Sequence, residues 1–195
     1  MSRPTRILVA IAAILMSTAY VFPLWRISLV APQYPEGLGM KIRINDIVGI
    51  KEMDLQNING LNHYIGMKTI VPESIPELRF MPAILGVLIA TGLGVAAWGR
   101  KWPLYGWSLG LAAVLGAGFV DYWRWGYDYG HNLDPHAIIT IPGMSYQPPL
   151  LGSKQLLNFT ATSWPDLGGW ALVVATALVA AAISRSLFQK TSSTA

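Results

Sequence analysis

Four stretches of this chain are apolar almost from end to end: residues 7–25, 80–98, 104–123 and 168–187. A helix needs about 20 mostly apolar residues to cross a bilayer, and each stretch reaches that length. The only charged side chains among them are Asp121, at the end of the third, and Arg185, near the end of the fourth. The pattern predicts four transmembrane helices. A tight turn at Arg100 and Lys101 joins the middle two, and two longer segments, 26–79 and 124–167, make the other connections. The expected fold class is an all-α membrane protein, one membrane domain from 1 to 195, with its two extracytoplasmic segments forming a structured cap. Arg3 and Arg6 give the first stretch the basic start of a secretory signal. Its apolar core is long, however, and Tyr20, Val21, Phe22 and Pro23 make a poor cleavage site, so it reads as an uncleaved anchor.

Composition supports the membrane reading and narrows the chemistry. Charged residues are 12% of the chain, about half the usual share of roughly 25% in soluble domains. The 53% hydrophobic content argues against disorder. With no cysteine, disulfides, thiolate zinc sites and iron–sulfur clusters are excluded. The net charge of +4 comes from scattered bases, so nucleic acid is not an expected partner. Arg3, Arg6, Arg100, Lys101, Arg185 and Lys190 flank the stretches on one side of a four-helix topology. That bias places both termini on the cytoplasmic side of the membrane. The segment 26–79 balances six bases (Arg26, Lys41, Arg43, Lys51, Lys68, Arg79) with six acids (Glu36, Asp46, Glu52, Asp54, Glu73, Glu77).

The eight tryptophans fall at or near predicted helix ends, as in an interfacial aromatic belt. Small residues recur every four positions at Gly86, Ala90 and Gly94, at Gly106 and Gly110, at Ala112 and Gly116, at Ala171 and Ala175, and at Ala177 and Ala181. Such seams suit close helix packing, within the chain or against another membrane subunit. Apart from Arg185 near the end of the fourth stretch, no Lys, Arg, Glu or His lies within a predicted span. A proton relay or a haem held between helices is therefore not expected.

The two outer segments hold all three histidines, His63, His131 and His136, and the methionines Met40, Met53, Met67 and Met144. Leu55, Ile58, Leu61 and Ile65 follow helical spacing, which predicts a short helix from Asp54 to about Met67, capped by Asp54 or Asn57. His63 and Met67 are four apart, so a continuous helix would set imidazole and thioether on one face. That pair suits Cu(I) better than zinc or magnesium, although such a pair more often simply packs. The stretch from Asp121 to His136 and on to Gly152 is rich in glycine, proline and aromatic residues and reads as a packed loop without long helices. In it His131 and His136, with Asp128 and Asp134, could make a metal site; the plainer alternative is a turn at Asp134 and Pro135. Asp121 and Arg124 are spaced for an interfacial ion pair. No nucleophile elbow, phosphate loop or dinucleotide fingerprint is present, and nothing marks Ser145 as activated, so an enzyme is not expected.

The stretches Tyr34-Pro35-Glu36-Gly37-Leu38, Leu61-Asn62-His63-Tyr64-Ile65-Gly66-Met67-Lys68, Tyr127-Asp128-Tyr129-Gly130-His131-Asn132-Leu133-Asp134-Pro135 and Pro142-Gly143-Met144-Ser145-Tyr146-Gln147-Pro148-Pro149 resemble a little-characterised family. It comprises four-helix bacterial membrane proteins associated with gene clusters for atypical (clade II) nitrous oxide reductase and with periplasmic copper handling. The resemblance implies an accessory role: binding, delivering or sensing copper for a periplasmic copper enzyme. His63, Met67, His131, His136 and Met144 are then the candidate ligands, histidine and methionine standing in for the missing cysteine. The alternative is a docking or structural subunit without a metal of its own. Expected partners are the lipid bilayer and another membrane or periplasmic protein, and any channel would need further copies of the chain.

Overall fold

The computed structural model describes residues 1–191 and the side chains of 1–188; the side chain of Lys190, counted above among the flanking bases, lies outside the described part. The fold is α/β and not the expected all-α. Helices α1 (Arg3–Met16), α2 (Asp54–Ile65), α3 (Glu77–Trp98), α4 (Lys101–His131) and α5 (Leu167–Thr191) accompany five strands. These are β1 (Trp25–Ala31), β2 (Tyr34–Ile42), β3 (Ile47–Gly49), β4 (Gly152–Leu156) and β5 (Phe159–Pro165). Three helices, α3, α4 and α5, are long and apolar enough to cross a membrane, where four had been expected. The first apolar stretch falls short because α1 ends at Met16, tightens into a 3-10 turn over Ser17–Tyr20, and gives way to β1 at Trp25.

The helical bundle is organised around α1, which packs on α3 and α5. Val9, Ala12, Ala13 and Met16 are fully buried there, against Leu85, Leu88 and Val95 of α3 and Ala175, Val179 and Ala182 of α5. At its N-terminal end Arg6 donates from Nε to the carbonyl of Ala96 (2.7 Å) and from a terminal nitrogen to that of Ala97 (2.8 Å). Those carbonyls belong to the last turn of α3, where a helix runs out of internal donors and favours a cation.

The expected seams account for only some of the close approaches in the bundle: Gly86, tight against the Tyr20 hydroxyl (3.1 Å), and the buried Ala175 belong to them, but the tightest between helices does not. A Cβ on Gly92 would sit 2.6 Å from the Trp107 ring and 3.1 Å from Ala13, so this glycine lets α3 meet α4 and α1. Gly94, Gly106, Gly110 and Gly116 have open space where a Cβ would be. Trp107 is not a belt residue either: it is buried, and its indole N–H donates to the Leu88 carbonyl (2.9 Å). Trp98 and Trp102 are exposed as an interfacial belt requires.

The cap is an antiparallel sheet of order β3-β2-β1-β5-β4. Its central pairing, Ile27 opposite Ser163 and Leu29 opposite Ala161, joins the two outer segments in one element. Alternation explains the strands. Ile27, Leu29, Leu38 and Met40 face one side, while Arg26, Ser28 and Thr162 face the other. The apolar side packs on Ile58 of α2 and on Tyr122, Trp125 and Tyr129 of α4.

Helix α4 continues into the stretch read as a loop as far as His131, while 132–151 carry neither helix nor strand, as expected. Its 31 residues extend about 46 Å at 1.5 Å each, well beyond the roughly 30 Å of a bilayer core. Its glycines do not break it but make room. A Cβ on Gly130 would meet the backbone of Gln147 at 2.4 Å, and the Gly130 carbonyl accepts the Tyr146 N–H (2.9 Å).

Candidate functional site

Helix α2 forms where the sequence placed it, and its ends are well defined. The buried Asp54 carboxylate accepts the backbone N–H groups of Gly39 (3.0 Å) and Lys51 (3.1 Å), tying the helix start to β2. The helix stops at Gly66, which adopts φ +78° and sends its N–H back to the Asn62 carbonyl. Past this cap, Asn59 exchanges two hydrogen bonds with the backbone of Ile70, and the Asn62 amide donates to the Lys68 carbonyl (3.2 Å). The helix end and the strap 67–70 thus form one rigid unit.

The second outer segment docks on this unit. Asp134 N–H donates to the Gly66 carbonyl (2.8 Å), and Ile139 N–H donates to the Tyr64 carbonyl (2.9 Å). Side-chain room at Gly66 is nil, since a Cβ would lie 2.8 Å from the Asp134 carbonyl oxygen. Lys68 pairs with Asp128 of α4 at 2.5 Å, both partly exposed. Tyr146 N–H, on Gly130, closes the third side. Backbone bonds therefore knit together the three stretches that carry His63 and Met67, His131 and His136, and Met144.

The side chains fare differently. His63 is exposed on the last turn of α2, beside Tyr64 with ring centroids 6.2 Å apart. Met67 lies beyond the Gly66 cap and packs with the sheet-side apolar cluster, so the turn separates it from the helix face that carries His63. His131 is exposed on the last turn of α4. Its ring stacks on Tyr127 with centroids 4.0 Å apart, and its Nδ1 lies 3.1 Å from the Tyr127 carbonyl. His136 is exposed in the turn that Asp134 builds, the Asp134 carboxylate accepting the His136 N–H (2.8 Å). Met144 is half-buried in a turn closed by its own N–H on the Ile141 carbonyl (3.1 Å). Among the described residues no three of His, Asp and Glu form a metal-holding group. Asp128 is engaged by Lys68 and Asn132, and the described ion pairs do not include one between Asp121 and Arg124.

Two features of this junction were missed from the sequence. Gly130 and Tyr146 act together as the docking point of the strand-leading segment, and the clue was helical spacing in Tyr122, Trp125, Gly126, Tyr129 and Gly130. Gly66 was readable as a helix stop, because it follows the last apolar residue of α2. No known family, curated protein or solved structure matches the chain.

Proposed function

We propose that this is a non-enzymatic accessory protein of the bacterial inner membrane that handles copper as cargo, its cap on the periplasmic side, in the service of a copper enzyme such as nitrous oxide reductase. The observation that carries the reading is the knitted junction. Three backbone hydrogen bonds, Asp134 to Gly66, Ile139 to Tyr64 and Tyr146 to Gly130, gather every histidine-bearing stretch at one place on the cap. The imidazoles of His63, His131 and His136 are exposed there, which suits ligands that receive and pass on an ion more than ligands that bury it. Thioether and imidazole together favour Cu(I), and Met144 is the methionine nearest in sequence to the docking residue Tyr146.

Elemental analysis of protein carrying a histidine-free tag, loaded with Cu(I) under reducing conditions, tests this. Wild type should hold near-stoichiometric copper, and His63→Ala and His131→Ala should each lose more than half of it without a change in thermal unfolding. Copper that stays the same in both variants, or none in wild type, overturns the reading.

A second reading, a subunit that docks on a partner's membrane helix, is favoured by the open glycines of α3 and α4. Gly94, Gly106 and Gly110 leave room for a neighbouring backbone that α1 and α5 do not occupy. Under that reading Gly110→Leu dissociates a partner that co-purifies with wild type, and copper content is irrelevant.

A further inference from the structure

Between the apolar side of the sheet and the helices α2 and α4, the cap encloses a cavity of about 220 Å³. Leu38 and Met40 of β2 form one wall, Ile58 of α2 a second, and Trp125 and Tyr129 of α4 a third. No histidine lines it, and of the candidate copper ligands only Met67 does.

Three independent features set it apart from ordinary imperfect packing. The first is polar. Among the described residues two buried side-chain polar atoms lack a hydrogen bond of ordinary geometry, the Trp125 indole N–H, which has only the Tyr129 hydroxyl near it, and the Tyr146 hydroxyl, and both residues line this cavity. Tyr146 is only 2% exposed, so water does not readily serve its hydroxyl. A buried polar group left unpaired in a native fold calls for an explanation. The second is conformational. Leu157 is the one described non-glycine residue with positive φ, at +54°, in the two-residue turn between β4 and β5. Glycine or asparagine would sit there with less strain, and a bulky residue in that region is an outlier that points to function. Its side chain lines the cavity. The third is the rim. Tyr64, Ile139 and Leu157 line the cavity and are at the same time exposed, which gives it an apolar entrance.

We propose that this cavity is a binding site for a small, flat, largely apolar molecule carrying a carbonyl oxygen. Trp125 Nε1 can only donate and the Tyr146 hydroxyl can donate, so a carbonyl acceptor satisfies the unpaired groups. The aromatic walls favour a ring. The volume, below the roughly 300–1,000 Å³ of sites for drug-sized ligands, limits the occupant to one or two rings or the head of a longer molecule. Such a molecule comes from the membrane or from solution.

The experiment has two arms. Menadione, a two-ring compound with two carbonyl oxygens, is titrated calorimetrically into detergent-purified wild type, Tyr146→Phe and Ala31→Trp. Ala31 lines the cavity from β1, and tryptophan there fills it. Saturable binding is expected in wild type. It should be roughly threefold to tenfold weaker in Tyr146→Phe, which keeps the shape and removes the donor, and roughly tenfold weaker or more in Ala31→Trp. In parallel, organic extracts of wild type and Ala31→Trp purified from native membranes are compared by mass spectrometry. A carbonyl compound enriched in wild type identifies a membrane source, whereas menadione binding with nothing co-purified identifies a soluble one. Equal affinity in all three proteins, or neither binding nor a co-purified molecule, overturns the proposal. Tyr146→Phe guards against a folding artefact, since its packing is unchanged.

Discussion

Ser163 is wholly buried in β5, and its hydroxyl serves three elements at once. It accepts the Trp25 indole N–H (2.7 Å), meets the Tyr122 hydroxyl (2.9 Å) and donates to the Leu150 carbonyl (3.1 Å). One oxygen therefore ties β1, α4 and the stretch before β4 to the centre of the sheet. Ser163→Ala removes it and leaves the half-buried Trp25 N–H with the Tyr122 hydroxyl beside it. Loss of a hydrogen bond of this kind costs about 0.5–1.5 kcal/mol. For a chain of 195 residues that corresponds to a fall in Tm of roughly 2–4 °C per kcal/mol, measurable by circular dichroism. An unchanged melting curve would mean that the three partners are satisfied without it. The same scale shows how far single residues were legible. Asp54 or Asn57 was read as the cap of α2 and neither is: Met53 stands at the N-cap without a side-chain bond, and the Asp54 carboxylate is taken up by the N–H groups of Gly39 and Lys51 outside the helix. His63 and Met67 were read as a one-face pair. Their four-residue spacing assumed a helix that Gly66 ends between them.

At the scale of elements, glycine separates what the sequence pattern suggested from what packing selects. Gly92 and Gly94 lie on the same helix two residues apart, yet only Gly92 touches a neighbour. Gly92→Ala drives a methyl group into the buried Trp107 ring, and overpacking of this kind costs about 1–3 kcal/mol. Gly94→Ala meets nothing and is favoured by helix propensity. Thermal unfolding should therefore drop in the first variant and hold or rise in the second; the reverse order would return the helix contact to the expected seam. A repeat of small residues specifies only that a face can approach something, and in lipid that face is as free to meet a partner as to meet its own chain. The strands were hidden for a related reason. Ile27 and Leu29 alternate with Arg26 and Ser28, a clear two-residue period, but Trp25 also ends an apolar run. Assigning that whole run to one span absorbed the first strand residue and left the alternation without a start. In α4 the opposite happened: Gly126 and Gly130 were taken as breakers, though the tertiary contact with Gln147 requires a glycine inside a helix.

For the whole molecule, the two ends of the bundle differ in kind. At one end stand Arg3, Arg6, Arg100, Lys101 and Arg185, two of which are engaged by helix carbonyls. Arg6 caps α3, and Lys101 donates to the Ser186 carbonyl of α5 (3.0 Å). At the other end sits the sheet with both outer segments woven into it. The separation of the basic turn from the two long segments was legible in charge and hydropathy alone, since both follow from what a bilayer tolerates. That the segments share one sheet was not, because the β1 to β5 pairing joins residues some 130 positions apart, Leu29 with Ala161. The architecture makes sidedness testable, and the chain contains no native cysteine to interfere. Ser153→Cys lies on the exposed edge strand β4 of the cap, and Arg100→Cys in the turn between α3 and α4 at the opposite end. With the cap in the periplasm, a membrane-impermeant maleimide applied to spheroplasts labels Ser153→Cys at once and Arg100→Cys only after the membrane is opened. Labelling of Arg100→Cys in sealed spheroplasts would turn the protein over. The histidine junction and the carbonyl cavity would then face the cytoplasm, and neither a periplasmic copper acceptor nor a periplasmic ligand could reach them.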